Sequence, residues 1–354
     1  MKIAVITDTH WGVRGDSKAF LQNAIDFHEN VFFPTLKDRD IDTIIHLGDL
    51  LDRRKYVNFH TSSKLEEHFM RVIKDNDMNL HLIVGNHDSY YKNTNEVNGV
   101  KELYGKSYDN IHIYEHEPVE LDFDGCKVML SPWICQANHD VTMKAFDNTK
   151  AQILMGHFEI SGYEMMKGQL CDHGLDRSSF NKFDAVYSGH FHHPSSHSNI
   201  TYLGAPYEMT WSDHGGKRGF HIFDTNTRKM EFIENPYRMF HKIDYEDSDL
   251  TIDEIANLNL EGLEGTYVKV IVKNKTNPYL FDIFMDRLDS CNAADIRVVE
   301  DHLDMDAIED SEIVDEAQDT LTILKKYVES MEVKVDKKEV DKCLQSLYNE
   351  ALSL

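Results

Sequence analysis

Nowhere in this chain of 354 residues does an apolar run approach the roughly 18 residues that a membrane-crossing helix needs. The opening segment, Met1-Lys2-Ile3-Ala4-Val5-Ile6-Thr7-Asp8, turns polar too early for the core of a signal peptide. Cysteine is scarce: Cys126, Cys135, Cys171, Cys291 and Cys343 are odd in number, widely scattered and without a C-x-x-C pair. Neither a disulfide framework nor a thiolate zinc site is indicated. Internal repeats are absent as well. A soluble protein of a reducing, cytoplasmic compartment is the expectation, with no membrane partner.

Positive charge is also in deficit, with 37 Lys and Arg against 62 Asp and Glu and a formal net charge of −25. Nucleic-acid binders normally carry a basic face. The balance therefore argues for solubility and against nonspecific coating of DNA. It does not exclude a nuclease, because carboxylates that hold cations are neutralised by them. Much of the excess also sits between Glu300 and Asp319, a stretch without Lys or Arg.

The length exceeds the usual single domain, and a hydrophobic content of 41% supports a sizeable core. The first part alternates strands and helices. Lys2–Thr7, Thr43–Leu47 and Leu80–Val84 read as buried strands, and Lys18–Phe33 and Thr61–Lys74 carry helical spacing. From Lys127 to Ile233 short strands dominate. Beyond Pro236, Thr266–Val272, Tyr279–Leu288 and Asp295–Val299 suggest a small β-α-β unit. The expected organisation is an α/β main domain at 1–235, a subdomain at 236–299, an acidic linker at 300–319 and a helical segment at 320–354. In that last segment Val340, Leu344, Leu347 and Tyr348 lie on one apolar stripe. The stripe either packs on its own domain or docks on a partner helix.

Five polar signatures each follow a strand-like run: Asp8-Thr9-His10, Gly48-Asp49-Leu50-Leu51-Asp52, Gly85-Asn86-His87-Asp88, Gly156-His157 and Gly189-His190-Phe191-His192. In open α/β sheets, ligands collect beyond the carboxyl ends of strands. Asp8 and His10, two residues apart, can face one metal ion. Asp49 is placed to bridge two ions, Asn86, His157 and His190 to hold the second, and His192 to return to the first. This mixed N/O set without thiolate suits Mn²⁺, Fe²⁺ or Zn²⁺ better than Mg²⁺. Two such ions roughly 3.5–4 Å apart activate water and polarise a phosphoryl group. His87 is the candidate catalytic residue to orient the phosphate or protonate the leaving group, and Asp88 to hold its imidazole. Each signature alone has an ordinary reading, as a packed histidine, a turn or a helix cap. Their joint occurrence at strand ends does not.

The series D-x-H, G-D-x-x-D, G-N-H-D, G-H and G-H-x-H resembles the calcineurin-like metallophosphoesterase superfamily. The segments Gly48 to Lys55, Val84 to Asp88 with Tyr91-Lys92-Asn93, Gly189 to His192, Phe123 to Cys126 and Pro132-Trp133 resemble the SbcD-type nuclease subunits of DNA double-strand-break repair, and most of all those of T-even-like bacteriophages. The resemblance covers about residues 1–300. It implies a two-sheet sandwich flanked by helices, with 236–299 as a capping subdomain. It implies a Mn-dependent 3′-to-5′ exonuclease and single-strand endonuclease in the host cytoplasm. Asp8, His10, Asp49 and His192 would hold one ion, and Asp49, Asn86, His157 and His190 the other, with His87 catalytic. A homodimer built from helices near Thr61–Lys74 and Asn95–Leu103 is implied, as is an SbcC-type SMC-like ATPase partner docked on the tail.

Arg53, Arg54, Lys55, Tyr91 and Lys92, next to the second and third signatures, are candidate DNA contacts, against the alternative of solvated loops. Trp133 and Trp211 are expected to pack. Two other functions compete with the nuclease: a phosphatase or small-molecule phosphodiesterase on the same scaffold, and a non-catalytic scaffold subunit.

Overall fold

The computed structural model describes residues 1–166, 169–248, 250–300 and Val340. Residues 1–300 form one compact unit. Its frame is a pair of six-stranded sheets packed face to face. From edge to edge the first holds Lys229–Glu234, Gly219–Asp224, Lys2–Ile6, Thr43–His46, Asn79–Ile83 and Ile111–Tyr114. The last four run parallel, and Gly219–Asp224 pairs antiparallel with both of its neighbours. The second holds Ser195–His197, Ile200–Tyr202, Ala185–Gly189, Ile153–His157, Cys126–Ser131 and Val119–Phe123, with a parallel centre and antiparallel edges.

The sandwich follows from side-chain alternation along strands. Ile3 and Val5 face the second sheet with Ile45, Leu47, Val128, Leu130, Ile153 and Met155. Ala4 and Ile6 point the other way, into a core shared with Phe27, Phe32, Leu36 and Phe69. Strands covered on both faces read as unbroken apolar runs, as Lys2–Ile6 does. The outer face of the second sheet is covered by Phe146, Phe158, Phe180 and Phe183.

Two expected helices each contain a π-helical turn. Lys18–Phe27 passes through His28–Phe32 into Phe33–Asp38, and Phe59–Leu65 through Glu66–Met70 into Arg71–Asp75. Such bulges keep the apolar face toward the core when the spacing drifts from an ideal helix.

The subdomain beyond residue 235 holds one strand more than the β-α-β unit expected. Phe240–Glu246, Tyr267–Asn274 and Asp295–Val299 form a parallel sheet, joined by Ile252–Ala256 and Pro278–Asp289. The extra strand, FHKIDYE, escapes a pattern reading because charged residues interrupt its alternation. It is seated on the main body by Phe20, Trp211, Met239 and Phe240. Glu208, buried, accepts the Met239 and Phe240 amides at 2.8 and 3.0 Å. Leu344, Leu347 and Tyr348 of the apolar stripe, and the linker at 301–319, lie outside the described residues; of the stripe only Val340 is described, as helical.

Candidate metal centre

Parallel pairing puts the carboxyl ends of Lys2–Ile6, Thr43–His46 and Asn79–Ile83 on one edge, and those of Ile153–His157 and Ala185–Gly189 beside them. The loops leaving these strands are tied to one another. Asp8 N donates to Gly48 O at 3.1 Å, His10 N to Asp49 O at 3.1 Å, and Trp11 N to Leu50 O at 2.9 Å. Four site residues adopt left-handed backbone: Asp8 (φ 52°), His10 (φ 40°), Asp49 (φ 54°) and His190 (φ 87°). Such conformations cost about 1–3 kcal/mol each and persist where the surroundings over-determine them. Here they turn carboxylates and imidazoles inward. Glycine is required where loops touch: a Cβ on Gly85 would collide with the Asp49 carboxylate, and one on Gly189 with the Thr7 hydroxyl.

Two groups of donors result. Asp8, His10 and His192 form one, and Asp49, His157 and His190 the other, with the ligand atoms of each group within 4.8 Å of one another. His10 Nε2 stands 3.1 Å from His192 Nε2 and 3.9 Å from Asp8 Oδ1. Asp49 Oδ2 faces both groups, 3.7 Å from His10 Nε2 and 3.2 Å from His157 Nε2. Asn86 Oδ1 lies 2.9 Å from His157 Nε2 and 3.0 Å from His190 Nδ1. The seven residues expected to bind metal are thus brought together. Lone pairs of carboxylates, amide oxygen and imidazoles converge, a donor set that fits divalent ions without thiolate.

The electrostatics point the same way. Burial alone would lower the His10 pKa, but the neighbouring Asp52 carboxylate and the charges of Asp49 and Asp8 overcome it and raise the ring to about 9. His157 is likewise raised to about 9: burial opposes the charge, while Asp49, Asp8 and the Leu47 carbonyl favour it. Asp49, despite burial, is held well below the usual carboxylate range by His157, His87 and His10. A pocket this rich in buried anions recruits protons when cations are absent.

His87 and Asp88 behave differently from their expected pairing. The His87 ring is held by Asp52, whose carbonyl oxygen lies 2.6 Å from Nδ1, and it packs edge-on to His10 with centroids 4.8 Å apart. Asp88 does not touch that ring. Its carboxylate accepts the backbone amides of Asp49 and Gly85 at 2.9 Å and of Leu51 at 3.0 Å. Burial and the Asp49 charge push Asp88 up to about 6, while the amide donors pull the other way. It is a staple between two loops, a role invisible to a reading that pairs sequence neighbours.

Further residues stand against the site, and of these Arg218 belongs to none of the signatures. Asp52 also approaches His10, with Oδ1 3.5 Å from Nδ1. Arg218, fully buried, donates to the His192 carbonyl and pairs with Asp213 at 2.7 Å. Trp133, expected to pack, stands 5.1 Å from the His190 ring and lines a cleft of about 690 Å³ with Lys92, His157 and Glu159. Trp211 does pack, against Phe240.

The candidate DNA contacts divide. Lys55, Tyr91 and Lys92 are exposed, and Lys92 reaches the cleft. Arg53 is partly engaged within the protein, 3.0 Å from Asp16 and stacked over Tyr56. Arg54 is half-buried.

Residues 1–194 match the family model described as calcineurin-like phosphoesterase. The chain belongs to that family. It is a metal-dependent phosphodiesterase, and the fold and motif set agree with the family resemblance read from the sequence. Among curated relatives, exonuclease subunit 1 of Enterobacteria phage T4 is 35% identical over 283 residues, covering 77% of this chain and 82% of the phage protein. The SbcD subunit of the SbcCD nuclease from Staphylococcus epidermidis is 23% identical over 312 residues, covering 80% and 79%. The same-named protein of Staphylococcus saprophyticus is 25% identical over 286 residues, covering 70% and 73%. Among the described residues no helix is long and apolar enough to cross a membrane.

Proposed function

We propose that this protein is a Mn²⁺-dependent nuclease that hydrolyses DNA phosphodiesters with two ions, as the nuclease subunit of an ATP-driven repair or recombination complex. The observation that carries the reading is the pair of donor groups on either side of Asp49, with His87 packed against His10. DNA as substrate is supported by the likeness to the phage exonuclease subunit. At 77% of the chain it extends beyond the 194 residues of the catalytic family match.

Asp8, His10, Asp49 and His192 would hold one ion, and Asp49, Asn86, His157 and His190 the other. When bound, two divalent cations withdraw charge from the scissile phosphate and lower the pKa of water. In hydrolysis a P–O bond to the attacking water oxygen forms as the P–O bond to the leaving oxygen breaks, and that leaving alkoxide needs a proton. The Asp52 carbonyl accepts the Nδ1 proton of His87, so the ring would act as an acid in its imidazolium form, in which Nε2 carries the second proton and gives it to the leaving oxygen or donates it to the phosphate. Asp88 positions the Asp49 and Gly85 loops. Exposed Lys55, Tyr91 and Lys92, of which Lys92 lines the cleft, would meet the backbone or bases of DNA.

The partners follow the same logic. An SbcC-type SMC-like ATPase would take the apolar stripe of Val340, Leu344, Leu347 and Tyr348. A homodimer would cover Phe59, 92% exposed, together with the exposed Val97 and Leu103.

The cleft of about 690 Å³ also suits a small phosphodiester, which gives the second reading. Both are tested by incubating the protein and Mn²⁺ with 5′- and 3′-labelled single- and double-stranded DNA, beside a chromogenic phosphodiester. Shortening of DNA from its 3′ ends supports the nuclease. Turnover of the small ester alone favours the second reading, and no hydrolysis of either overturns both.

A further inference from the structure

Beyond the His190 side of the centre, the chain leaves the sandwich between Phe158 and Leu175 and returns through the bridge Ile160–Leu175. Three donors of different softness from this excursion meet, a carboxylate, a thiol and an imidazole. The ligand atoms of Glu159, Cys171 and His173 lie within 4.8 Å of one another. His173 Nε2 is 3.3 Å from Glu159 Oε1. Two ligands at roughly 2.1 Å from a tetrahedral zinc ion stand about 3.4 Å apart, so this edge already has the right length. Cys171 is 1% exposed, held by its amide to Tyr163 O at 2.8 Å and by its carbonyl to the Gly162 amide at 2.7 Å.

A second feature is independent of the cluster. His173 Nδ1 lies 2.8 Å from the Asp172 carboxylate, which turns Nε2 toward Glu159 and Cys171. A carboxylate on the far nitrogen is the usual support of a metal-bound imidazole. Glu159 Oε1 also stands 3.6 Å from His190 Nε2, so the cluster abuts the phosphodiesterase centre without sharing its ligand atoms.

We propose that Glu159, Cys171 and His173 form a third cation site, with one open coordination position, selective for Zn²⁺ over the ions of the main centre. One thiolate, one imidazole and one carboxylate match zinc, whereas oxygen-preferring or purely N/O-ligated ions gain little from the sulfur. An ion there would tie Cys171-Asp172-His173 to the strand end at Glu159 and fix the wall of the cleft formed by Glu159, Gly174 and Leu175.

Cobalt gives the test, because only a thiolate-ligated site produces a sulfur-to-cobalt charge-transfer band in the near ultraviolet and the main centre has no thiolate. The full-length protein is first loaded with Mn²⁺ and then titrated with Co²⁺. The expected result is such a band saturating at one equivalent per chain, displaced by Zn²⁺, absent in Cys171→Ser and weakened in His173→Ala. Cys171→Ser should keep its Mn²⁺-dependent turnover, which shows that it is folded. Native mass spectrometry of the unmodified protein should find one zinc in addition to the ions of the main centre. No band, a band that survives Cys171→Ser, or no additional zinc would overturn the site and leave Glu159 and His173 a surface ion pair, without bearing on the nuclease.

Discussion

His87 Nδ1 lies 2.6 Å from the carbonyl oxygen of Asp52, thirty-five residues earlier in the chain. A carbonyl only accepts, so this contact fixes the proton on Nδ1 and leaves Nε2 as the working atom. His87→Asn should lower turnover about 10²–10⁴-fold, the usual worth of general acid–base help. Metal content should be unchanged, because His87 is not among the convergent donors. Steady-state rates beside metal analysis of the same sample check this. Loss of metal with loss of rate would make His87 a ligand.

Asp88 is expected to matter for structure. Asp88→Asn places an amide N–H against backbone donors from Asp49, Gly85 or Leu51. A buried donor left unsatisfied costs about 1–3 kcal/mol. Thermal unfolding should report lower stability, and metal binding should weaken because both loops carry ligands. An unchanged Tm with normal metal affinity would contradict the staple.

The contrast between those neighbours shows how far the sequence could be read. The convergence of the seven expected donors was legible, since each sits at the end of an apolar strand and parallel pairing gathers such ends. The succession of an α/β part and a strand-dominated part was legible from the apolar periodicity, and the two-sheet sandwich was implied by the family resemblance. The partner of His87 was not, because it is a backbone carbonyl, and carbonyls have no sequence signature. Arg218 and Trp133 were not either: their roles depend on which strand returns beside His192 and Val84. Phe240–Glu246 was hidden by its interleaved charges.

Metal affinity should climb with pH. In the metal-free protein His10 and His157 are raised to about 9 and stay protonated at neutral pH. Each ion must displace one such proton, so affinity should rise about tenfold per pH unit from 7 to 9 and level off above. The sign for stability is opposite. Raised histidine pKa values stabilise the metal-free fold fully below about 6.5, and this contribution is lost as pH rises through 9. Calorimetric Mn²⁺ titrations at several pH values, with metal-free Tm measured alongside, check both signs.

Gly85→Ala should abolish metal binding at the centre while altering no ligand. The added methyl would displace the Asp49 carboxylate, which faces both donor groups. Mn²⁺ content after dialysis is the measurement. Retention of the ions would mean that the Asp49 loop can shift without cost.

The central claim is that Asp49 stands between two cations. Crystals grown with Mn²⁺ and measured at its absorption edge test it most directly. Two anomalous peaks roughly 3.5–4 Å apart are predicted, one among Asp8, His10 and His192 and the other among Asn86, His157 and His190, with Asp49 touching both. A single peak, or two peaks of which neither contacts Asp49, would contradict it.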